Sequence, residues 1–236
     1  MSARWHRITK LALAIRPSDL RWSALLLGFG CACGGLSYQV DRDLLTEVSV
    51  ENKLTLFDAE NGVSIALDER EQTRREIQLL REDIESTERQ IKEARDDEDR
   101  ASDKGDAQRE KVASMAEEVF ELKKDYLEER VGLLRERISV QDVFVYVAFA
   151  RYELAKARLV KKNNVRGAQD IDVDDFEEQV DEYVEQARER SVDFAEREEE
   201  VEQVRLAWAE RREALQQASG GGLGSPWAEE SALWGF

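Results

Sequence analysis

Proline is almost absent from this chain, and its distribution is the feature that most limits the possible folds. It occurs only as Pro17 and Pro226, so nothing between them carries the residue that most reliably breaks a helix. Glycine is nearly as rare: the stretch from Leu36 to Ser219 contains only Gly62, Gly105, Gly132 and Gly167. So long an interval with so few helix breakers favours long helices over a compact mixture of strands and turns.

Apolar or small residues recur from Ser49 onward in alternating steps of three and four, which is the heptad spacing of a coiled-coil face. The first such face consists of Leu56, Ala59, Val63, Ala66, Ile77, Leu80, Ile84, Ile91 and Ala94, interrupted at Arg70, Thr73 and Thr87. This spacing predicts a helix from about Ser49 to Ala101, with Ser49 as its N-cap. Polar turn formers then surround Gly105, where we expect the chain to reverse.

Two further faces follow the first turn. The second consists of Leu127, Val131, Leu134, Ile138, Val145, Ala148, Tyr152, Ala155 and Leu159, interrupted at Gln141. The third consists of Val173, Phe176, Val180, Tyr183, Ala187, Phe194, Val201, Val204, Trp208 and Leu215. Asp172 or Asp174 is expected to cap the third helix, since an aspartate side chain accepts hydrogen bonds from the first free backbone amides.

The predicted fold is all-α: an elongated antiparallel coiled-coil bundle of three long helices, made of a long hairpin and a shorter third helix. Short connections make consecutive helices antiparallel neighbours. Folding about the two turns places Leu80 near Leu127, Trp208 near Tyr126 and Leu215 near Val119. The third helix is therefore expected to cover only the base and middle of the hairpin. The segment 143–150 (VFVYVAFA) reads alone as a strand, but its place in the heptads favours a helix covered from two sides.

These patterns divide the chain into four parts. Residues 1–33 form a leader, 34–48 a linker, and 49–218 the coiled-coil rod, with turns near 102–106 and 164–171. Residues 219–236 begin with the flexible sequence SGGGLGSP and end in an amphipathic tail. Chain ends usually lack order unless they are held, so this tail is expected to be disordered, or else to pack against the bundle or a partner.

The leader has the layout of a bacterial secretory signal. Residues 1–21 are basic, and WSALLLGFGCAC follows, an apolar run shorter than the roughly 20 residues of a membrane span. Leu27-Gly28-Phe29-Gly30-Cys31 resembles a bacterial lipoprotein signal, which implies lipidation of Cys31, with Cys33 as second choice. Gly28 departs from that motif, which prefers an aliphatic residue there. Cleavage after a small residue without lipidation, and an uncleaved signal anchor, stay open.

Charge and residue usage exclude several classes of function. The net charge is −17, and residues 1–30 are basic, so the rest of the chain is more acidic still. An acidic surface repels phosphate, which argues against nucleic-acid binding. The single histidine, His6, lies in the leader, so the body has no imidazole for general-base chemistry. With no phosphate-binding loop or nucleophile motif either, we expect a protein that is not an enzyme and has no cofactor.

One acidic run resembles the start of a calcium-binding loop. Asp170, Asp172 and Asp174 alternate along the chain, and Asp181 lies eleven residues after Asp170. Asp175 stands where such a loop needs glycine, and the last ligand position holds aspartate in place of glutamate. An acid-rich, capped helix start explains the same residues, so no metal site is expected.

As a whole, the leader and helices resemble the uncharacterised coiled-coil lipoproteins of the Gram-negative cell envelope. The resemblance implies a protein exported to the periplasmic face of a bacterial membrane and held there by a lipid anchor or a signal anchor. It also implies a structural or interaction role, as a scaffold or adaptor with a protein partner, and allows a homo-oligomer.

Two alternatives to the scaffold function remain. A holdase-type periplasmic chaperone also uses helical hairpins, but members of that family tend to be basic, whereas this body is acidic. A helical-hairpin adaptor of an efflux or secretion assembly is the other alternative. Such adaptors carry a flanking β-rich domain that this sequence does not predict.

Overall fold

The structure, a computed structural model, describes residues 36–220. All regular elements in this part are helical: α1 (Arg42–Thr46), α2 (Val50–Lys53), a 3₁₀ turn (Leu54–Leu56), α3 (Phe57–Asp103), α4 (Ala107–Lys162) and α5 (Val173–Ala218). They belong to one compact unit that begins at Tyr38. The all-α prediction and the three long helices are confirmed. The longest helix, α4, has 56 residues, a length of about 84 Å at 1.5 Å per residue.

The predicted helix starts are capped by the expected side chains. The Ser49 hydroxyl accepts a hydrogen bond from the amide of Asn52 at 3.4 Å, and the backbone then stays right-handed and helical through the 3₁₀ turn into α3. The Asp172 carboxylate accepts from the amide of Asp174 at 3.1 Å at the start of α5. Each cap pairs a backbone donor that has no acceptor inside its helix.

Glycine stands at both reversals of the chain. At the tip, the turn between α3 and α4, Gly105 has a φ of 68°. At the base, the turn between α4 and α5, Gly167 has a φ of 94°. A Cβ at Gly167 would also lie 3.2 Å from Cδ2 of Leu44, so that leucine would have to shift by a few tenths of an ångström. Glycine adopts these positive φ angles without the strain that a side chain would bring.

Helix α4 is central, because α3 and α5 each pack along it and scarcely contact one another. The apolar segment 143–150 lies where both neighbours cover α4. Its buried members are Val143, Val145, Val147 and Ala150, whereas Phe144 and Phe149 are exposed. Coverage from two sides is confirmed, and the two phenylalanines mark the edges that neither neighbour reaches.

The contact between α3 and α4 follows the predicted register. Leu80 and Leu127 belong to one buried cluster. The threonines that interrupt the first face remain buried, and each donates its hydroxyl to the carbonyl four residues earlier, from Thr73 to Glu69 at 3.2 Å and from Thr87 to Asp83 at 2.8 Å. A polar residue is tolerated in the contact because its hydroxyl finds an acceptor within its own helix.

Helix α5 extends closer to the tip than the sequence predicts. Leu215 joins the cluster that contains Val119, as expected. The carbonyl of Ala218, however, lies 3.5 Å from Nε2 of Gln108, near the start of α4. The prediction that α5 covers only the base and middle is therefore wrong. The 46 residues of α5 start at the base and span about 69 Å, most of the length of α4.

The interval 34–48, predicted to be a linker, needs correction from residue 38 onward. It contains α1, which the Asp41 side chain caps. Val40 and Val48 are buried in the base cluster, and Leu44 and Leu45 pack against it. Val40, Leu44 and Val48 stand four residues apart, and the single turn of α1 between Val40 and Val48 lets all three face the base. The segment is too short to show a heptad pattern, and the prediction missed it for that reason.

Trp208 on α5 offers a test of how firmly α5 packs. It is partly buried and stacks on Tyr126 of α4, with ring centroids 5.6 Å apart. We expect Trp208→Ala to lower the free energy of unfolding by about 2–3 kcal/mol, less than the roughly 3–5 kcal/mol of a fully buried aromatic, because part of the ring is already in water. Urea unfolding followed by circular dichroism measures the change.

The matched control for this prediction is Trp208→Phe. The indole N–H is buried and has no hydrogen-bond partner among the described residues. Phenylalanine keeps an aromatic ring against Tyr126 and removes that unpaired donor, so it should cost less than alanine. An unchanged unfolding midpoint for Trp208→Ala would show that the ring faces solvent.

Candidate functional site

The most unusual group of side chains in the described chain lies at the base, where residues 38–48 meet α4 and α5. Three polar residues are buried there: Glu153 and Lys156 on α4 and Gln179 on α5. Buried charges and amides are uncommon unless they are paired. All three have partners, and two of them hold the backbone of residues 38–40.

Gln179 forms hydrogen bonds to the backbone of Tyr38 through both the oxygen and the nitrogen of its side-chain amide. Its Oε1 accepts a hydrogen bond from the Tyr38 amide at 2.8 Å, and its Nε2 donates to the Tyr38 carbonyl at 3.2 Å. The side chain thus offers the same donor and acceptor that a neighbouring β-strand would. Both polar groups of the Tyr38 backbone are therefore satisfied without water.

Glu153 makes the second contact with the N-terminal segment. Its Oε2 accepts from the Val40 amide at 2.9 Å, and its Oε1 lies 2.5 Å from Nζ of Lys156. Both side chains of this ion pair are about one-tenth exposed. Each carboxylate oxygen has its own partner. The Lys156 ammonium neutralises the charge of Glu153, and the Val40 amide has an acceptor for its hydrogen bond.

Tyr152 completes the polar group on α4. The Lys156 ammonium lies 4.9 Å from the centroid of its ring, within the range of a cation–π contact. Burial first, and then the carboxylates of Glu60 and Glu153, raise the pKa of the Tyr152 phenol. The phenol therefore stays neutral at physiological pH, and Glu153 meets no second negative charge from this ring.

Apolar packing surrounds these polar contacts. The base cluster joins Val40 and Val48 to α4 and α5. Phe176 belongs to it, and the centroid of its ring lies 5.8 Å from that of Tyr38. Low polarity strengthens the hydrogen bonds it encloses. We call Glu153, Lys156 and Gln179, with the backbone of Tyr38 and Val40, the base latch.

The latch is built to hold a peptide segment in one place. It fixes the backbone of Tyr38 and Val40 by three hydrogen bonds and anchors the apolar side chains of residues 40–48 in the base. Both helices take part in holding this segment, because Gln179 lies on α5 and Glu153 on α4. This arrangement fixes the orientation of the long helices relative to the segment at Tyr38.

The acidic residues considered for calcium are not assembled into a site. Asp172 uses its carboxylate to cap α5, and Asp170, Asp174 and Asp181 are exposed. Within residues 36–220, no three histidine, cysteine or acidic side chains are grouped so that they hold a metal ion. The lipidation candidates Cys31 and Cys33, and the aromatic tail, lie outside the described residues.

Sequence reasoning did not find the latch residues. Glu153 and Lys156 stand three apart on a helix, which is the spacing of an ordinary surface ion pair. One signal was present: the pair falls within a stretch, residues 143–160, that is otherwise mostly apolar. Arg151 and Arg158 stand in the same stretch and are exposed, so this signal alone does not single out the buried pair.

The chain matches no known protein family, no curated protein and no solved structure. Among residues 36–220, no helix has an apolar stretch long enough to cross a bilayer.

Proposed function

We propose that this protein is a non-enzymatic scaffold of the bacterial cell envelope, held to a membrane at its base and engaging a protein partner at its tip. In this function the leader exports the chain and Cys31 carries a lipid anchor. The base latch holds the anchored end of the chain against α4 and α5. The C-terminal tail then lies at the far end of the long helices, where a partner reaches it.

The observation that carries the proposal is that the two ends of the described chain lie at opposite ends of the helices. Tyr38 is held at the base by Gln179, whereas Ala218 lies beside Gln108 near the tip. Helix α4, which runs between these two ends, is about 84 Å long. A partner that binds at the tip is therefore held far from the end of the chain that the latch fixes.

Chain length also supports attachment at the base. From Cys31 to Tyr38 the chain spans at most about 25 Å. A lipid on Cys31 therefore keeps the latch within that distance of the membrane. The acidic body, at −17 for the whole chain, is repelled by anionic lipid, which favours helices that point away from the surface.

The scaffold function is tested with two variants of the full chain, examined by cell fractionation and by crosslinking to its partner. Deletion of residues 221–236 should abolish the crosslink to a single stoichiometric partner while the protein stays in the membrane fraction. Cys31→Ala should release the protein from the membrane without abolishing the partner. Recovery of many unfolded proteins in place of one partner would instead favour the chaperone. If the tail deletion released the protein from the membrane and Cys31→Ala abolished the crosslink, the proposed placement of anchor and partner would be refuted.

Lipid attachment is predicted at Cys31. Radiolabelled palmitate should enter the wild-type protein and Cys33→Ala, but not Cys31→Ala, because Gly30 and Leu27 place Cys31 at the cleavage position of the resembled signal. Several acyl chains hold a protein firmly, since each buried methylene contributes about 0.8 kcal/mol. Label in Cys31→Ala would move the anchor to Cys33. Absence of label from all three proteins would exclude lipidation.

A further inference from the structure

Four large apolar side chains lie exposed at the start of the hairpin, near the base. Val50 is 76% exposed, Leu54 69%, Phe57 61% and Ile65 58%. We call these four residues the outer stripe. The buried residues of the same stretch, Leu56 and Val63, point to the other side of the helix, toward the base cluster and α4.

Three residues of the outer stripe, together with Asn61, have the spacing of a second coiled-coil face, and Ile65 lies beside this face at an e position. The steps from Val50 to Leu54 to Phe57 to Asn61 are four, three and four, and the backbone is helical throughout. In heptad terms, Val50 and Phe57 occupy d positions, and Leu54 and Asn61 occupy a positions. An asparagine at one a position fixes the register of parallel two-stranded coiled coils, since its amide pairs with the same amide of the partner.

The charges beside the stripe favour a parallel pair of identical helices. Lys53 occupies the g position and Asp58 the e position of the next heptad. In a parallel pair, g of one helix faces e of the other, so Lys53 of each copy meets Asp58 of its partner. In an antiparallel pair, Glu51 and Asp58, both at e positions, would face each other with like charges.

We propose that the outer stripe pairs with the same stripe of a second copy of this chain, side by side and parallel. The pairing rests on the proposed function, because two copies held in one membrane by their bases are already parallel and level. Three apolar side chains per copy in the contact, with Ile65 beside them, are far fewer than the 20–30 residues a side of a stable interface. The pair therefore depends on tethering, which raises the effective concentration of one stripe near the other.

The pairing is tested by disulfide formation between full-length chains in bacterial membranes. Asn61→Cys, made in a Cys33→Ala background, places one thiol at an a position, where the two copies lie closest. Oxidation with copper–phenanthroline should then give a disulfide-linked dimer. Glu182→Cys, exposed on α5 toward the same end of the bundle, is the control for random collision and should give none.

Leu54→Glu, added to Asn61→Cys, should abolish the linked dimer by placing two like charges in the contact. The matched control is Leu79→Glu, which changes an exposed leucine of α3 outside the stripe and should leave the dimer intact. Palmitate labelling and membrane fractionation of the same samples report the anchor separately. If the Asn61→Cys chain is anchored in the membrane but forms no disulfide, the pairing is wrong while the proposed function stands. The outer stripe would then be covered by lipid or by the leader. A soluble chain without the disulfide would overturn both proposals.

Discussion

Replacing Glu153 by alanine is expected to release residues 38–48 from the base and to lower the free energy of unfolding by about 3–5 kcal/mol. The change leaves Lys156 buried without its carboxylate and the Val40 amide without its acceptor. A buried charge that has lost its partner is among the most costly defects in a folded protein. Urea unfolding measures the loss, and hydrogen exchange at the Val40 amide reports the release directly.

Glu177→Ala is the matched control, since it also removes a glutamate from an ion pair at the base. Glu177 on α5 pairs with Arg158 on α4 at 2.6 Å, but the two side chains are 47% and 59% exposed. Exposed pairs contribute about 0–1 kcal/mol, so this variant should be nearly as stable as the wild type, with slow exchange retained at Val40. Equal losses in the two variants would mean that the latch contributes no more than a surface contact.

Phe176→Ala should destabilise the base by a similar amount, about 3–5 kcal/mol, through loss of packing. Phe176 is 5% exposed and belongs to the cluster that joins α4, α5 and the N-terminal segment. Its ring also faces Tyr38. Removal of the ring opens a cavity beneath both the segment and the first turns of α5, so exchange should rise at both places.

The control for Phe176→Ala is Phe144→Ala on α4. Phe144 is 46% exposed, and its truncation removes much less buried surface, so we expect a clearly smaller loss in unfolding free energy. If both substitutions cost the same, the base cluster is not the packed centre that its burial indicates.

Heptad spacing was sufficient to predict the three long helices and their pairing. Leu80 meets Leu127 and Trp208 stacks on Tyr126 as the turns at Gly105 and Gly167 require. Such contacts are predictable because a regular face repeated over fifty residues leaves few alternative registers.

The latch depended on information that periodicity does not contain. Gln179 lies beside the apolar face of α5, and nothing in its neighbours indicates that its amide binds Tyr38, 141 positions away. Contacts of this kind arise only when separate segments meet. The same reason explains why residues 38–48 were assigned to a linker, since their burial requires the base to exist first.

The outer stripe shows a related limit of sequence reasoning. Leu54, Leu56 and Phe57 are apolar residues within four consecutive positions, and the heptad pattern identified Leu56 as the inward one. It gave no role to the other two. Only the structure shows that they lie on a continuous face of their own, with Asn61 in line.

The placement of the latch also decides which helix bears mechanical load. While the latch holds, a pull between Ala218 near the tip and Tyr38 at the base passes along α5 and reaches the N-terminal segment either directly, through Gln179, or through α4 and its Glu153. Helix α3 follows the N-terminal segment in the chain, so it takes up the pull only after these hydrogen bonds open. Tension therefore acts first on the latch hydrogen bonds and on the contact between α4 and α5, and only then on α3.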